Sequence, residues 1–419
     1  MLFVCVALAA ALAASCGDGG ENGTIAPGAT PTATASPEGA TVEPGVTDTE
    51  ILLGAHGPLS GVLGAIYAFI PQAEQAYFKY INDTQGGVCG RKIVLKVEDD
   101  QMDPAKALEV TRKLVEEDKV LAIVGALGDQ AHSSVWEYLN EKGVPDLLLS
   151  AGSHKWTSDP VGHPWTIPFI PDYTIEGTFF GKYISENLPG AKVGVLYENN
   201  DFGKDGLAGV KMSLDSANNP LVAEQSYETT AVAISSQIAN IKNAGAEAVV
   251  LYTTPGYVTQ FVTAADRMDW HPQLFTSYVN ADPILFQYAP PELVKGLITR
   301  QAQKLPDWTD DPAVIRHGEI MQKYGGPTVS SMSIYGQTLA ELAVDILSRA
   351  CDNLTRQGLM DAAESTYDWH SDLMLEGITI TITPTDHIAF EQGRFIRAVV
   401  VDGKGKFEYF GPITAYERP

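Results

Sequence analysis

An alternation of short apolar runs with helical periods, begun once and then begun again, constrains the fold of this chain more than any other feature. The first series predicts strands at residues 51–55, 92–98, 121–124 and 146–149. The second series starts near Tyr173 and predicts strands at residues 192–197, 221–226, 248–252 and 273–276. Strands that alternate with helices are typical of a mostly parallel sheet covered by helices, so the doubled pattern predicts an α/β protein with two Rossmann-like lobes.

The segment between the two series, HPWTIPFIPDY, is rich in proline and has no helical period. It predicts an extended crossover with a hinge strand near residues 166–168. After residues 297–300 the chain is expected to return to the first lobe, in a helix with Ile334, Thr338, Leu342 and Ile346 on one face. The final strands, predicted at residues 378–382, 398–402 and 407–410, are expected to complete the second lobe. Lobe 1 is therefore predicted to span residues 48–167 and 300–375, and lobe 2 residues 168–299 and 376–419.

The N-terminus has the pattern of an export signal. Residues 1–15 form an apolar run that is too short to span a bilayer, and small residues lead into Cys16. This arrangement resembles a bacterial lipobox, which implies cleavage before Cys16 and a lipid anchor on its thiol; a signal peptide cut without lipidation is the alternative. Residues 16–47 are dominated by Gly, Ala, Thr and Pro and predict a flexible tether.

Charge and cysteine content narrow the partners and the compartment. The chain has 28 Lys and Arg against 52 Asp and Glu, a formal charge of -24 that repels nucleic-acid backbones. Apart from Cys5 and Cys16 at the N-terminus, Cys89 and Cys351 are the two remaining cysteines. An oxidising compartment permits a disulfide between them, and we retain that pairing as a hypothesis.

Motifs for catalysis and for metal binding are missing from the sequence. It contains no GxSxG elbow, Walker A loop or HExxH helix, and the glycines after the first strand do not follow the GxGxxG spacing. His132, His154 and His163 match no common zinc pattern and are predicted to be isolated and exposed. Asp99 and Asp100 are predicted to cap or hydrogen-bond neighbouring loops. We therefore expect no cofactor, no metal and no enzymatic activity.

Several motifs, taken together and in order, resemble a known family. They are GPLSG at residues 57–61, the run from TQGGVCGRK to VLAIVGALG that ends at residue 128, LYENNDFGKDGLAG at 196–209 and LYTTP at 251–255. In these the chain resembles type I periplasmic binding proteins of the branched-chain amino acid (Leu/Ile/Val) receptor family, in a branch whose members do not all bind those amino acids. The resemblance implies three crossings between the lobes, a monomer, and an ABC permease with its ATPases as partner.

The resemblance also implies where a ligand would bind. The predicted ligand-binding residues are Tyr67, Leu127, Gly128, Asp129, Gln130, Ser150, Ala151, Gly152, Ser153, Tyr173, Phe202, Thr254 and Tyr278. Turns that open helices offer free backbone N–H groups, so the turn at residues 150–153 is expected to bind a ligand carboxylate. The hydroxyl residue usual near 129–130 and the acidic residue usual near 278–280 are absent, which leaves an amino acid, another carboxylate, an amide and an aromatic compound as alternatives.

The predicted function is that of an extracytoplasmic solute-binding lipoprotein. Closure of the lobes on a small molecule would precede its delivery to an ABC importer. One alternative is a sensor that presents the closed state to a membrane receptor. Another is an enzyme on the same fold, because one fold hosts many functions.

Overall fold

The structure, a computed structural model, describes residues 43–416. Within this range the strands are β1 (Glu50–Gly57), β2 (Lys92–Asp99), β3 (Ile123–Val124), β4 (Asp146–Leu149), β5 (Thr166–Pro168), β6 (Val193–Glu198), β7 (Leu221–Tyr227), β8 (Ala248–Tyr252), β9 (Gln273–Thr276), β10 (Ile298–Gln301), β11 (Thr366–Trp369), β12 (Ile380–Ile382), β13 (Gln392–Val401) and β14 (Lys404–Ala415). The α-helices are α1 (Gly61–Tyr67), α2 (Phe69–Thr84), α3 (Pro104–Arg112), α4 (Asp129–His132), α5 (Trp136–Lys142), α6 (Lys155–Ser158), α7 (Tyr173–Asn187), α8 (Asp201–Ser213), α9 (Ser235–Asn243), α10 (Pro255–Arg267), α11 (Leu285–Tyr288), α12 (Pro291–Val294), α13 (Pro312–Tyr324), α14 (Ser331–Arg349) and α15 (Arg356–Ala363).

Two sheets organise the molecule. The first sheet has the order β2-β1-β3-β4-β5, and all its strands are parallel. The second has the order β14-β13-β10-β9-β8-β6-β7; β6 to β10 are parallel, and β13 and β14 are added antiparallel at one edge. These sheets confirm the predicted α/β fold with a largely parallel sheet in each half.

The chain passes between the two halves three times. It leaves the first sheet after β5, builds β6 to β10 of the second sheet, and returns so that α13 and α14 pack against α2. It then enters the second sheet again at β13. The predicted boundaries of the two lobes remain a prediction, but the strands follow this threefold path.

Local sequence explains the central elements. Strands β4 and β8 are buried at every position, as expected for parallel strands covered on both faces. Helix α3 begins as predicted at Asp103, whose carboxylate accepts the N–H groups of Ala105 and Lys106, with Pro104 at the first helical position. On α14, the predicted face of Ile334, Thr338, Leu342 and Ile346 is buried. Hydrophobic burial on one helical face therefore fixes how α14 packs.

One predicted strand joins a different sheet. Strand β12 pairs antiparallel with β11 in a separate two-stranded sheet. It does not extend the second sheet, because its hydrogen bonds are made to β11, and its place in lobe 2 remains a prediction. Strands β13 and β14 do complete the second sheet.

Cys89 and Cys351 form a disulfide in the structure, with their sulfur atoms 2.07 Å apart. The bond joins the loop after α2 to the turn after α14, 262 residues apart in sequence. Such a long closed loop restricts the unfolded chain strongly and stabilises the fold by about 2–5 kcal/mol. The pairing that the sequence left as a hypothesis is thus present.

The N-terminal predictions fall mostly outside the described residues: the signal peptide at 1–15, Cys16 and its lipid, and the tether up to residue 42. Residues 43–47, also assigned to the tether, instead contact the folded unit. The Glu43 carboxylate accepts the N–H of Arg356 at 2.8 Å, and the carbonyl of Gly45 accepts the N–H of Leu52 at 2.7 Å. No helix between residues 43 and 416 combines the length and apolarity needed to cross a bilayer.

Candidate functional site

A cavity of about 610 Å³ lies between the carboxyl ends of the two sheets. Its first side, the residues that follow β1 to β4, comprises Val62, Leu63, Ile66, Tyr67, Ile70, Met102, Leu127, Gly128, Asp129, Gln130 and Ser150. Its second side, the residues at or after the ends of β6 to β9, comprises Glu198, Asn200, Phe202, Thr229, Thr254, Pro255, Gly256, Tyr257, Gln260, Tyr278 and Val279. Ile170 and Tyr173 of the crossover, with Met332 and Tyr335 of α14, complete the lining. Open α/β sheets bind ligands at this edge.

Ten of the thirteen residues predicted to bind ligand line this cavity. They are Tyr67, Leu127, Gly128, Asp129, Gln130, Ser150, Tyr173, Phe202, Thr254 and Tyr278. The structure does not bring Ala151, Gly152 and Ser153 to the cavity surface. The turns that follow the strands therefore surround one cavity. Residues 151–153, which were expected to bind a ligand carboxylate, do not line it.

The turn at residues 151–153 is engaged by side chains of the protein itself. The N–H of Ser153 donates to Asp129 at 2.8 Å, and its hydroxyl donates to Asp205 of α8 at 2.7 Å. The next N–H, of His154, also donates to Asp205, at 2.9 Å. Gly152 lies against the carbonyl of Pro171 and the ring of Tyr173. The N–H groups expected to bind a ligand carboxylate already have protein carboxylates as partners.

Asp129 is the centre of this arrangement. Its Oδ1 accepts the N–H of Ser153 and the indole N–H of Trp156, both at 2.8 Å, and its Oδ2 accepts the hydroxyl of Tyr173 at 3.0 Å. Burial raises the pKa of Asp129, and the hydrogen bonds from Trp156, Ser153 and Tyr173 oppose that rise. The carboxylate ties the turn after β3 to the turn after β4 and to the start of α7.

Hydroxyl groups are the main polar atoms left facing the cavity. The hydroxyls of Ser150 and Tyr335 bond to each other at 2.9 Å. Among the described residues, the hydroxyls of Tyr67 and Tyr278 have no hydrogen-bond partner, although both rings line the cavity. No Lys, Arg or His occurs in the lining formed by residues 43–416. The cavity thus offers neutral donors and a largely apolar surface.

The second side carries a buried acid and a group of aromatic rings. Glu198, at the end of β6, accepts the hydroxyl of Tyr227 at 3.0 Å and the amide of Asn200 at 3.1 Å. Burial raises the pKa of Glu198 despite these hydrogen bonds. Phe202 packs edge-on against Tyr173, with ring centroids 4.7 Å apart, and is also in contact with the ring of Tyr252 behind it. These packed aromatic rings suit contact with an apolar ligand.

Behind the first side lies a buried chain of two histidines and two aspartates. Asp100 bonds to His56 Nδ1 at 2.7 Å, His56 Nε2 lies 3.2 Å from His132 Nδ1, and His132 Nε2 bonds to Asp146 at 2.8 Å. Burial lowers the pKa of His56, and its hydrogen bond to Asp100 opposes that shift. The prediction that His132 is exposed was wrong. Its ring can be fully buried because a carboxylate and a second imidazole are partners for its two nitrogen atoms.

Other histidines and acids have structural partners. His154 pairs with Asp172 at 2.7 Å, which raises the His154 pKa, and His163 stacks on Trp136. Asp99 accepts the N–H of Leu59 and the hydroxyl of Ser60, as expected for a residue that bonds neighbouring loops. Between residues 43 and 416, no group of three or more His, Cys, Asp or Glu is placed to hold a metal ion.

Sequence reasoning missed several lining residues. Val62, Leu63, Ile66 and Ile70 form an apolar stripe with Tyr67 along α1 and the start of α2, and their helical spacing could have indicated it. Glu198 directly follows the strand predicted at residues 192–197, at the position where ligand contacts are expected. Met332 and Tyr335 come from a helix far along the chain, and no local signal places them here.

Comparison with known proteins identifies a family and several relatives. Residues 50–406 match the family described as "Periplasmic binding protein". The Leu/Ile/Val-binding protein homolog 1 of Brucella abortus is 24% identical over 200 residues, 48% of this chain and 53% of that protein. The chain thus spans about half the length of that relative.

Solved structures match over a larger share of the chain. A fatty acid ABC transporter substrate-binding protein from Thermomonospora curvata is 27% identical, with a TM-score of 0.76 over 88% of this chain and 94% of that one. A branched chain amino acid ABC transporter protein from Thermus thermophilus with bound valine has a TM-score of 0.78 at 18% identity, over 88% and 97% of the two chains. The second likeness is one of fold alone.

Proposed function

Because this chain belongs to the periplasmic binding protein family, we propose that it captures a largely apolar small molecule and delivers it to an ABC importer. The family binds small molecules and works with ABC transporters, and closure of two halves on a ligand is the mechanism such a fold allows. The ligand would bind between the strand ends of both sheets, in contact with the two sides of the cavity. Affinity would come from the interactions that the ligand makes in the closed state and lacks in the open one.

The composition of the cavity carries this proposal. Its lining is mostly aliphatic and aromatic, and among the described residues it contains two acids and no basic side chain. A free amino acid presents two charged groups on a small body, and the N–H groups suited to its carboxylate are engaged by Asp129 and Asp205. An apolar body with one small polar head matches the surface better, with the head placed at the hydroxyls of Tyr67 and Tyr278.

The solved structure with the fatty-acid name supports the same class of ligand. That protein is 27% identical to this chain, whereas the valine-bound structure is 18% identical. A chain-like or branched aliphatic compound is therefore our proposed ligand. Anchoring by a lipid on Cys16 and an extracytoplasmic location are part of the same proposal, supported by the family and by the apolar segment before Cys16.

The test is isothermal titration of the purified protein with 1-octanol, octanoate, leucine and valine, paired with small-angle scattering. We expect at least one eight-carbon probe to bind and to reduce the radius of gyration, and the two amino acids to bind more weakly. Binding of leucine or valine alone would contradict the proposed ligand class. Absence of any compaction by a tightly bound probe would contradict closure.

A cavity-filling variant tests the site further, and a variant with the same ring on the protein surface is its matched control. Gly256 lines the cavity, and a Cβ atom added there meets no atom within 4 Å, so Gly256→Phe should project its ring into open space. We expect it to abolish binding and leave the fold intact by circular dichroism. Val232→Phe adds the same ring at a position that is 94% exposed, and should bind like the original protein.

A further inference from the structure

We infer that Asp129 determines ligand specificity, because its carboxylate fills an anion-binding site at the edge of the cavity and so excludes ligands that would place a carboxylate there. The inference rests on the proposed binding role of the cavity. It concerns one position, where the side chain of Asp129 both lines the cavity and accepts hydrogen bonds from three donors.

Three donors converge on that carboxylate. The backbone N–H of Ser153 and the indole N–H of Trp156 reach Oδ1 at 2.8 Å each, and the hydroxyl of Tyr173 reaches Oδ2 at 3.0 Å. Ser153 and Trp156 lie three residues apart, where the turn after β4 leads into α6, and Tyr173 begins α7, so the donors converge from two parts of the chain. Hydrogen bonds from several donors to a charged acceptor are the strong kind. Without Asp129, the same donors would present a vacant site of carboxylate size.

The surrounding charges make a second carboxylate at this position unfavourable. Asp205 lies on the other side of the same turn, where it accepts the hydroxyl of Ser153 and the N–H of His154. Lys155, whose charge acts on Asp129, bonds to Asp201 at 2.7 Å and to the hydroxyl of Ser133 at 2.6 Å. A ligand carboxylate placed beside Asp129 would meet the charge of that carboxylate, and the three donors bonded to Asp129 would not be available to it. Both effects disfavour its binding.

This arrangement predicts selectivity between ligands of equal shape. A branched aliphatic amide should bind better than the matching acid, since its head carries no charge and can bond to the cavity hydroxyls. Removal of the Asp129 side chain should invert that preference, because the three donors then become available to the ligand. The polar residue at position 129 would thus set which head group the cavity accepts.

The experiment is chemical rescue of the Asp129→Ala variant. Loss of the carboxylate leaves three donors unsatisfied and should lower the melting temperature. Sodium acetate or formate should restore it in a saturable manner, whereas acetamide, or sodium chloride at the same ionic strength, should not. The original protein should show no saturable response to acetate, because its own carboxylate occupies the site.

Asp129→Asn is the matched control. The amide has the same shape and fills the same space, so acetate should not stabilise this variant. An equal acetate effect on the original protein, the Asn variant and the Ala variant would overturn the inference, as would a folded Ala variant that does not respond at all. If the Ala variant does not fold, Asp129→Ser opens nearly the same space and is judged by the same criteria.

A second measurement compares 4-methylpentanoate with 4-methylpentanamide. In Asp129→Ala the ratio of the two affinities should shift toward the acid by about tenfold or more, the size expected for hydrogen bonds to a charged group. An unchanged ratio would contradict a role in specificity. If neither compound binds any variant while acetate rescue succeeds, the proposed ligand class fails and the filled anion site stands.

Discussion

Two buried aspartates behind the first side of the cavity are held by other means than two buried glutamates of the second side. Behind the first side, Asp100 and Asp146 each bond to a histidine, at 2.7 and 2.8 Å. Behind the second side, Glu198 accepts the hydroxyl of Tyr227 and the amide of Asn200. Glu176 of α7, also buried, accepts the backbone N–H of Tyr278 at 2.6 Å. Imidazole can carry a positive charge, whereas these hydroxyl and amide donors cannot.

This difference indicates how each group of carboxylates can be perturbed. Behind the first side, Asp100 and Asp146 each depend on one imidazole, and burial lowers the pKa of His56. On the second side, burial raises the pKa of Glu198, and it raises that of Glu176 to about 7 although the charge of Arg300 opposes the rise. Loss of a histidine should therefore leave an aspartate unpaired on the first side, and a rise in pH should ionise Glu176 on the second.

The largest expected effect is that of His132→Ala. This change removes the sole hydrogen-bond partner of Asp146 Oδ2 among the described residues, and the Oδ1 atom of Asp146 has none. A buried carboxylate left unpaired costs about 3–5 kcal/mol. We expect urea unfolding to show a loss of that size in the free energy of unfolding.

His317→Ala is the matched control for this first-side effect. The ring of His317 is equally buried, but its partners are the neutral groups of Gln337 and Ser333, each at 2.8 Å. Both variants lose a buried ring, so the difference between their losses in free energy of unfolding measures the cost of leaving the Asp146 carboxylate unpaired. Equal losses would mean that the histidine–aspartate chain adds nothing beyond packing.

The second prediction concerns Glu176 and pH. Its pKa of about 7 in the folded protein lies above the ordinary value of 4.5, chiefly because of burial. Between pH 4.5 and 7 the folded state keeps a proton that the unfolded state has lost, so stability is highest below this window and falls as pH rises through it. The shift corresponds to a loss on the order of 3 kcal/mol across the window.

Glu176→Gln should remove the part of the pH dependence that Glu176 causes, while the parts caused by Glu74 and Glu198, whose pKa values burial also raises, should remain. The amide copies the protonated acid, so the variant should be more stable than the original protein at about pH 8, by on the order of 1–3 kcal/mol once an unpaired amide group is allowed for. Below pH 4.5 the gain should vanish. Denaturant unfolding across the pH range measures it, with Glu141→Gln on the exposed face of α5 as a control. A parallel pH profile in the two proteins would contradict the assignment.

How much of this the sequence predicts depends on the range of the interactions involved. The bounds predicted for β4, β5, β8 and β9 coincide with the structure because each is a short apolar run between turn residues. The pairing of β12 with β11 could not be predicted, because it leaves no periodic signal in the sequence. Period and turn chemistry thus define the elements, whereas antiparallel partners must be found in three dimensions.

The same distinction applies to the candidate site, where some residues could be predicted from the sequence and some contacts could not. The strand-end rule brings Leu127, Gly128, Ser150 and Thr254 to the cavity from their order in the sequence. It could not show that the Asp129 carboxylate accepts hydrogen bonds from the turn after β4 and from Tyr173. The three donors are 24 to 44 residues from Asp129 in the sequence. The stacked pair His56 and His132 is likewise separated by 76 residues. Side-chain contacts of this range have no pattern in one sequence.

A third, smaller effect is expected from Glu198→Gln. Glu198 lines the cavity, so an uncharged apolar ligand removes water from it and is favoured when the acid is protonated. In the original protein, the affinity for 1-octanol should rise as pH falls; in the variant it should be independent of pH. Stability should change less than in Glu176→Gln, because Tyr227 and Asn200 already bond to the carboxylate. Titration calorimetry at several pH values distinguishes the two proteins, and pH-dependent binding by both would assign the effect elsewhere.

The smallest effect on stability is expected from Tyr278→Phe, which probes the interface between the two sides. The Tyr278 hydroxyl has no hydrogen-bond partner among the described residues, so its loss should change the free energy of unfolding of the ligand-free protein by less than about 0.5 kcal/mol. Affinity for a ligand with a polar head should fall by about 0.5–1.5 kcal/mol, because one hydrogen bond is lost. Tyr335→Phe provides the contrast, since that hydroxyl bonds to Ser150 at 2.9 Å and its removal should destabilise the ligand-free protein. If Tyr278→Phe were instead as destabilising as Tyr335→Phe, with affinity intact, Tyr278 would belong to the packed core and the polar head of the ligand would have to lie elsewhere.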